Sequence, residues 1–264
     1  MSPSELVRHA KDAGLAAIAL TDHDTIAGIP EAVEEGRRVG MEVVPGIEIS
    51  ADYKNEMHIL GYFKEEDYLR MTPVLSYLRE SRENRNKKII DKLNEMGFDI
   101  TMEEVSSIAK GKVVGRPHIA KIMMEKGYVR SVSEAFEKYL EFGKPAYFKK
   151  EKLTPQQGIE TILKARGIPV LAHPVLLKIP FEELDALLKE LVSYGLKGIE
   201  AYYVYNSEDF TITSLELARK YNLVPTGGSD FHGTFKPGIN IGTGYGNLRV
   251  DYGILIRIKE LLYS

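Results

Sequence analysis

Six histidines are spread along 264 residues that contain no cysteine, and four of the six sit where short apolar runs begin or end. His23 follows Ile18-Ala19-Leu20, His58 opens Ile59-Leu60-Gly61-Tyr62, His173 follows Val170-Leu171-Ala172, and His232 comes soon after Leu223-Val224-Pro225-Thr226. Carboxylates accompany them: Asp22 and Asp24 flank His23, Glu48 stands in Pro45-Gly46-Ile47-Glu48-Ile49-Ser50, Asp230 precedes His232, and Glu200 lies in a further apolar run. Without thiolates, imidazole nitrogens and hard carboxylate oxygens must carry any metal chemistry, and that mixture suits Zn, Mn or Fe. A carboxylate such as Glu48 can bridge two divalent ions about 4 Å apart, the arrangement two-metal hydrolases use on phosphate esters. Taken singly, each histidine reads as a hydrogen-bonded structural group, and Asp22, Asp24 and Asp230 read as turn or cap residues. The set is what points to metal. His9 falls on the polar side of a helical pattern, and Gly227-Gly228 is a weak phosphate-cradle signal.

Groups so far apart in sequence meet only if the fold brings them to one rim, as parallel α/β folds do at the carboxyl ends of their strands. The periodicity predicts such a fold. A helix opens at Pro3 and closes near Gly14, a strand covers 15–20, a helix covers 26–39, and strand segments follow at 43–50 and 57–63. After Thr154 the alternation resumes, with a helix to 165, a strand at 168–172, a helix at 181–194, a strand at 198–202, a helix at 207–221 and a strand at 223–226. His58 begins its strand rather than ending it, so an antiparallel neighbour is needed to bring it to the same rim.

Between these βα segments the pattern turns helical, with pieces expected at 75–96, 102–109, 116–126 and 133–142. Residues 79–152 hold 17 Lys or Arg against 12 Asp or Glu, a net +5 within a chain of net −3. We therefore expect an inserted, net-positive helical lobe over 64–153 and a main body made of 1–63 and 154–264, with the lobe able to steer an anionic substrate. At 44% hydrophobic content the chain can bury one substantial core or a core plus a smaller lobe. No apolar run reaches membrane-spanning length and the first residues lack the pattern of a signal peptide, so a cytoplasmic protein with no membrane partner is expected.

Five motifs, Thr21-Asp22-His23-Asp24-Thr25, Pro45-Gly46-Ile47-Glu48-Ile49-Ser50, His58-Ile59-Leu60-Gly61-Tyr62, Ala172-His173-Pro174 and Gly228-Ser229-Asp230-Phe231-His232, resemble in order and spacing those of the polymerase and histidinol phosphatase (PHP) superfamily. Gly115-Arg116-Pro117-His118-Ile119-Ala120 and Gly143-Lys144-Pro145-Ala146-Tyr147 resemble the helical insertion of its TrpH-like branch. The resemblance implies a distorted (β/α)7 barrel with a trinuclear metal cluster at the rim. Carried over by motif, Glu48 would bridge two metals, His58 and His173 would complete the second, Asp230 would join Glu48 on the first, and His23 with His232 would hold the third. Members of the family open with a strand carrying His-x-His just ahead of the segment that Ser2-Pro3-Ser4-Glu5-Leu6 matches. The expectation is therefore a barrel without its first strand, one complete metal site, two incomplete ones and impaired activity, with a start codon assigned too late as the favoured explanation.

The implied activity is hydrolysis of phosphate esters of nucleotides or of RNA or DNA 5′ ends, of the 3′,5′-nucleotide bisphosphate phosphatase or 5′→3′ exonuclease type, with two or three divalent ions (Mn, Fe or Zn). Glu48, Asp230, His232, Asp22 and Asp24 are the candidate catalytic groups. Arg116, His118 and Lys144 are candidates for gripping a substrate phosphate, Arg116 through its bidentate fork. Tyr128, Tyr139 and Tyr147 could stack on bases, but their spacing reads as packing. Two alternatives stay open: a metal-dependent amidohydrolase, and a catalytically inactive metal- or nucleotide-binding regulatory module.

Overall fold

Residues 1–109 and 114–264 are described by a computed structural model, and their elements alternate over much of the chain. The strands are β1 (Ala17–Leu20), β2 (Glu42–Ala51), β3 (Met57–Tyr62), β4 (Ile168–Leu171), β5 (Gly198–Tyr203) and β6 (Val224–Gly228). The helices among the described residues are α1 (Pro3–Asp12), α2 (Ile29–Val39), α3 (Thr72–Glu95), α4 (Met102–Ala109), α5 (Arg116–Glu125), α6 (Val132–Ala135), α7 (Pro155–Lys164), α8 (Phe181–Ser193), α9 (Glu208–Lys220) and α10 (Tyr252–Tyr263). A π-helical turn, Phe136–Leu140, replaces the second half of the helix expected at 133–142. The C-terminal helix α10 was not anticipated. Its run Ile254-Leu255-Ile256 reads equally as a strand, and what resolves it is the side chain of Asp251 capping the Gly253 N–H at 2.7 Å.

Contacts divide the chain into two compact units, 1–75 with 152–264, and 76–151. In the first, the six strands form one curled half-barrel sheet in chain order, with β1 and β6 at its edges. β1 runs parallel to β2, and β4, β5 and β6 run parallel to one another, whereas β3 is antiparallel to both β2 and β4. The first residue of β3 thus lies at the end of the sheet where its neighbours finish. Strand alternation sorts the side chains: Val44, Leu60, Tyr62, Val170 and Ala172 cluster on one face and are closed off by Ile258 of α10. Ile49 and Ile59 point the other way, beneath Gly158 of α7. Both faces are covered, which is why β3 and β4 are buried at every position.

Two local devices shape the rim. A Cβ on Gly46 would come within 2.7 Å of Thr21 Cγ2 and 3.0 Å of the Leu20 carbonyl oxygen, so glycine is what allows β1 and its extension to lie this close to β2. In β5 the pairing with β6 slips between Glu200 and Tyr202, a bulge at Ala201. Residues three apart on a regular strand face opposite sides, so the extra residue brings Glu200 and Tyr203 to the same side.

The second unit is helical, with its own core of Ile89, Leu93, Ile100, Val105, Ile119, Met123 and Leu140. Tyr128 and Tyr139 each pack edge-on against Phe98, at 5.2 and 5.0 Å between ring centres, as packing residues would. Among the described residues no helix is long and apolar enough to cross a membrane.

On the first unit's surface, α1 and α2 are held together through Glu35, which is 7% exposed. Its carboxylate accepts from Arg38 at 2.8 and 2.6 Å and from Arg8 at 2.9 Å. The Arg38 hydrogen bonds hold its carboxyl down at about 2, against an ordinary 4.5. A depressed folded-state value stabilises above the unfolded value and is lost as pH falls through the folded one. Glu35→Gln should therefore lower Tm by a few degrees at pH 7, with the gap to the parent closing between about pH 4.5 and 2; thermal melts across that range check it.

Candidate metal centre

The centre is built on a single carboxylate. Glu48 projects from β2 on the same face as Val44, and it is 4% exposed. Its Oε1 lies 2.7 Å from His58 Nδ1 and 2.9 Å from His173 Nε2, and those two nitrogens are 3.2 Å apart. Its Oε2 lies 3.6 Å from His23 Nε2. The histidines come from three elements: the extension of β1, the start of antiparallel β3 and the end of β4. A short parallel bridge fixes the first of them, with the Glu48 N–H donating to the Asp22 carbonyl at 3.1 Å and the Asp24 N–H to the Glu48 carbonyl at 2.9 Å. Asp24 then clasps the loop, its Oδ1 accepting from the Ser50 N–H at 3.0 Å.

Burial works against the charge on Glu48, yet hydrogen bonds from His173 and His58, with His23 near, hold its carboxyl down at about 2. Burial likewise disfavours a charged His173, but Glu48 outweighs it and the imidazole is raised above its ordinary value. His23 is lowered and Asp22 raised, both chiefly by burial.

Asp230 and His232 form a second cluster after β6. Asp230 Oδ1 lies 3.1 Å from His232 Nδ1, while Oδ2 accepts from Tyr203 Oη at 2.8 Å and Lys236 Nζ at 2.5 Å. Although half-buried, Asp230 is held well below the carboxylate range by His232, Lys236 and Tyr203. The two clusters adjoin: the His23 and His232 rings are 6.0 Å apart and the Tyr203 ring stands 5.4 Å from His173. Glu48, His23, His173, Asp230 and His232 all open on one cavity of about 1180 Å³, as does Asp22.

Three groups in this neighbourhood were not among the sequence-predicted roles or were named only in passing. Glu200 accepts the His173 main-chain N–H at 2.7 Å and is pushed up to about 8 by burial. Tyr203 and Lys236 converge on Asp230. Tyr203 reaches it only because of the β5 bulge, which no periodicity reveals, whereas Lys236 four residues beyond His232 was a readable signal. Gly227 and Gly228 have a packing explanation instead of a phosphate-cradling one: added Cβ atoms would meet Tyr202 at 2.6 Å and Glu200 Oε1 at 3.0 Å.

Arg116, His118 and Lys144 all belong to the second unit. Arg116 opens α5, donates from Nη1 to the Leu140 carbonyl at 2.9 Å, and lies over the Tyr147 and Phe136 rings. His118 Nδ1 accepts from the Gly115 N–H at 3.1 Å, and Lys144 is exposed. His9 stands against Phe231, ring to ring at 5.5 Å.

The donor set fits a divalent metal. Two imidazole nitrogens and a carboxylate oxygen converge within 2.7–3.2 Å of one another, so protons or a cation must lie between them. His23, Glu48 and His58 each offer an atom within 4.8 Å of the others, and His173 is in hydrogen-bonding reach of two of them.

The sequence profile of the PHP domain matches residues 1–149. A 5′-3′ exoribonuclease of Haemophilus influenzae is 34% identical over 233 residues, covering 88% of this chain and 85% of its own. The chain belongs to the PHP domain family. A 3′,5′-nucleoside bisphosphate phosphatase of Chromobacterium violaceum is 27% identical, covering 92% of this chain and 86% of its own. Among solved structures, a candidate metal-dependent phosphoesterase from Bifidobacterium adolescentis superposes with a TM-score of 0.72 at 28% identity, over 98% of this chain and 91% of that one. The hydrolase class and the α/β PHP-type fold expected from the five motifs agree with these relatives.

Because Glu48 faces three imidazoles, Glu48→Gln should weaken Mn²⁺ binding by more than the roughly 10–100-fold typical of losing an outer-shell partner. Calorimetric titration measures this, and an unchanged affinity would remove Glu48 from the ligand set.

Proposed function

We propose that this chain is a metal-dependent phosphoesterase that hydrolyses phosphate esters of nucleotides or of RNA or DNA 5′ ends, as a 3′,5′-nucleotide bisphosphate phosphatase or 5′→3′ exonuclease does, acting in the cytoplasm with two or three divalent ions of Mn, Fe or Zn. The observation that carries this reading is the convergence of Glu48, His58 and His173 within 2.7–3.2 Å beside a second carboxylate-imidazole pair, Asp230 and His232. When bound, such ions supply Lewis acidity toward a phosphoryl oxygen and lower the pKa of water.

The protein's own groups do the positioning. His58, His173 and Glu48 would hold one metal ion, Asp230 with Glu48 a second, and His23 with His232 a third. Glu200 fixes the main chain at His173, and Tyr203 orients Asp230. Lys236 places a positive charge where negative charge grows on the phosphoryl oxygens. Asp22 and Asp24 keep the His23 loop against β2. In the helical unit, Arg116, His118 and Lys144 grip a second phosphate, which makes that unit a substrate lobe. The names of the relatives, an exoribonuclease and a bisphosphate phosphatase, support nucleotide-type substrates.

With Mn²⁺ and adenosine 3′,5′-bisphosphate, the purified chain should release inorganic phosphate and should leave an anilide amide substrate intact. Amide cleavage without phosphate release would overturn the assignment. Arg116→Ala should raise KM for the bisphosphate by about tenfold, the loss expected for a charge-assisted hydrogen bond, while leaving KM for an aryl phosphate unchanged. Equal effects on both would remove Arg116 from the substrate site.

A further inference from the structure

A line of aromatic rings leads outward from the metal centre through the residues that end and follow β5. The Tyr203 ring stands 5.4 Å from that of His173 and 5.6 Å from that of Tyr205, and the Tyr205 ring stands 6.1 Å from that of Tyr245. Exposure rises sharply along this line. Tyr203 is 3% exposed and its hydroxyl is committed to Asp230, whereas Tyr205 is 45% and Tyr245 56% exposed. Packing and a hydrogen bond account for Tyr203. They do not account for two neighbouring phenol rings left in water at the end of the line.

The backbone holds both exposed rings in place. Tyr205 lies in the turn after β5, which is closed by the Asn206 N–H donating to the Tyr203 carbonyl at 3.0 Å and by Asn206 Nδ2 donating to the Ala201 carbonyl at 2.8 Å. Tyr245 lies in a tight loop, where Asn240 and Gly244 exchange main-chain hydrogen bonds at 2.8 and 2.9 Å and the Gly246 N–H donates to the Thr243 carbonyl at 2.8 Å. That loop is seated on the turn. A Cβ on Gly244, whose φ is +61°, would come within 2.6 Å of Val204 Cγ2, and Asn247 Nδ2 donates to the Val204 carbonyl at 3.4 Å. Glycine at 244 is thus what lets Tyr245 lie beside Tyr205. The Tyr205 hydroxyl raises the Tyr245 phenol above its ordinary value, a further sign that the two side chains meet. Tyrosine has few rotatable bonds, and here its backbone is fixed as well, so a flat ligand laid on these rings costs little ordering.

We propose that Tyr205 and Tyr245 form a stacking platform for the nucleobase of the substrate while its ester phosphate is held at the metal centre. The proposal rests on the phosphoesterase reading and adds to it a base-binding site and a specificity. Phenol faces read no hydrogen-bond pattern and every base has a π-face, so the platform favours nucleoside esters over esters of a bare sugar with little regard to which base is present. Two ring-to-ring steps separate His173 from Tyr205, a path short enough for a base joined through its ribose to a phosphate at the centre. The Tyr205 and Tyr245 rings are tilted by 51° to each other, so they do not form a parallel slot, and the base lies on their outward faces.

The test is equilibrium binding to the Zn²⁺-loaded chain of two ligands that cannot be hydrolysed, the 5′-methylenephosphonates of 2-aminopurine riboside and of ribose. The fluorescence of 2-aminopurine falls when the base stacks, and the base-free ligand is read by competition. The parent should bind the nucleoside ligand at least about fivefold more tightly than the base-free one, with quenching, and Tyr205→Ala and Tyr245→Ala should each weaken the nucleoside ligand by about fivefold or more. Both variants should leave the base-free ligand within about twofold, and Tyr205→Phe, which keeps the ring, should behave as the parent. Equal affinity for the two ligands in the parent overturns the proposal, as does an equal loss for both ligands in the alanine variants. Should an alanine variant not fold, as judged by circular dichroism, leucine replaces it; a loss confined to the nucleoside ligand then supports the platform and an unchanged affinity overturns it. In competition, the adenine, guanine, cytosine and uracil counterparts should fall within about tenfold of one another, and a wider spread overturns the base tolerance. Because binding is read separately from hydrolysis, a chain that stacks the base yet releases no phosphate from adenosine 3′,5′-bisphosphate fails the phosphoesterase reading alone. One that releases phosphate without preferring the nucleoside ligand fails the platform alone.

Discussion

Glu48 is a carboxylate taken almost wholly out of water that nevertheless keeps its charge, and most of the first unit can be understood as the means of making that tolerable. Removing a carboxylate from water is costly unless opposing charge or hydrogen-bond donors replace the solvent. Here three imidazoles replace it, and each has to come from a different element. That requirement explains the one irregularity in strand direction. Were β3 parallel to its neighbours, His58 would stand at the far end of the sheet, and Glu48 would face only His23 and His173. With β3 reversed, His58 near the start of one strand meets His173 just past the end of another across the same carboxylate oxygen.

The backbone bears a cost for this convergence. Asp24, His173 and Asp230 all adopt positive φ, at 53°, 26° and 50°, a region that side chains other than glycine visit rarely. All three lie just past a strand end, where the chain must turn while delivering a side chain back toward the sheet axis. Each is held in place by named bonds: Asp24 by the Ser50 N–H, His173 by Glu200, and Asp230 by Tyr203 and Lys236. The β5 bulge belongs to the same scheme, since it lets one strand supply the groups that steady both His173 and Asp230. A strained conformation persists only where its surroundings over-determine it, and these surroundings do.

The two units solve opposite electrostatic problems. In the first, lone pairs from imidazoles and carboxylates converge, and the deficit is of positive charge. In the second, the buried guanidinium of Arg85 has no carboxylate partner among the described residues, and the deficit is of negative charge. Each unit buries its own hydrophobic cluster.

How far this was legible in the sequence depended on what kind of information each feature needs. Residue type and position relative to apolar runs are local, so His23, Glu48, His58, His173, Asp230 and His232 could be picked out before any fold was known, and helix α4 could be bounded at both ends. Strand direction and register are not local. Nothing in Met57–Tyr62 itself says that it runs backwards; only the demand that His58 share a rim with the others does. The bulge at Ala201 is less visible still, because Gly198–Tyr203 reads as an ordinary apolar strand and the extra residue exists only relative to β6. Arg85 marks the limit of sequence reading most plainly. It stands in a charged helical stretch among Arg79, Arg82, Lys87 and Lys88, where each cation reads as solvent-facing. What distinguishes it is that the Ile89 and Leu93 face of α3 packs into the second core and carries this one guanidinium inward with it, a consequence of helix packing that no count of charges contains.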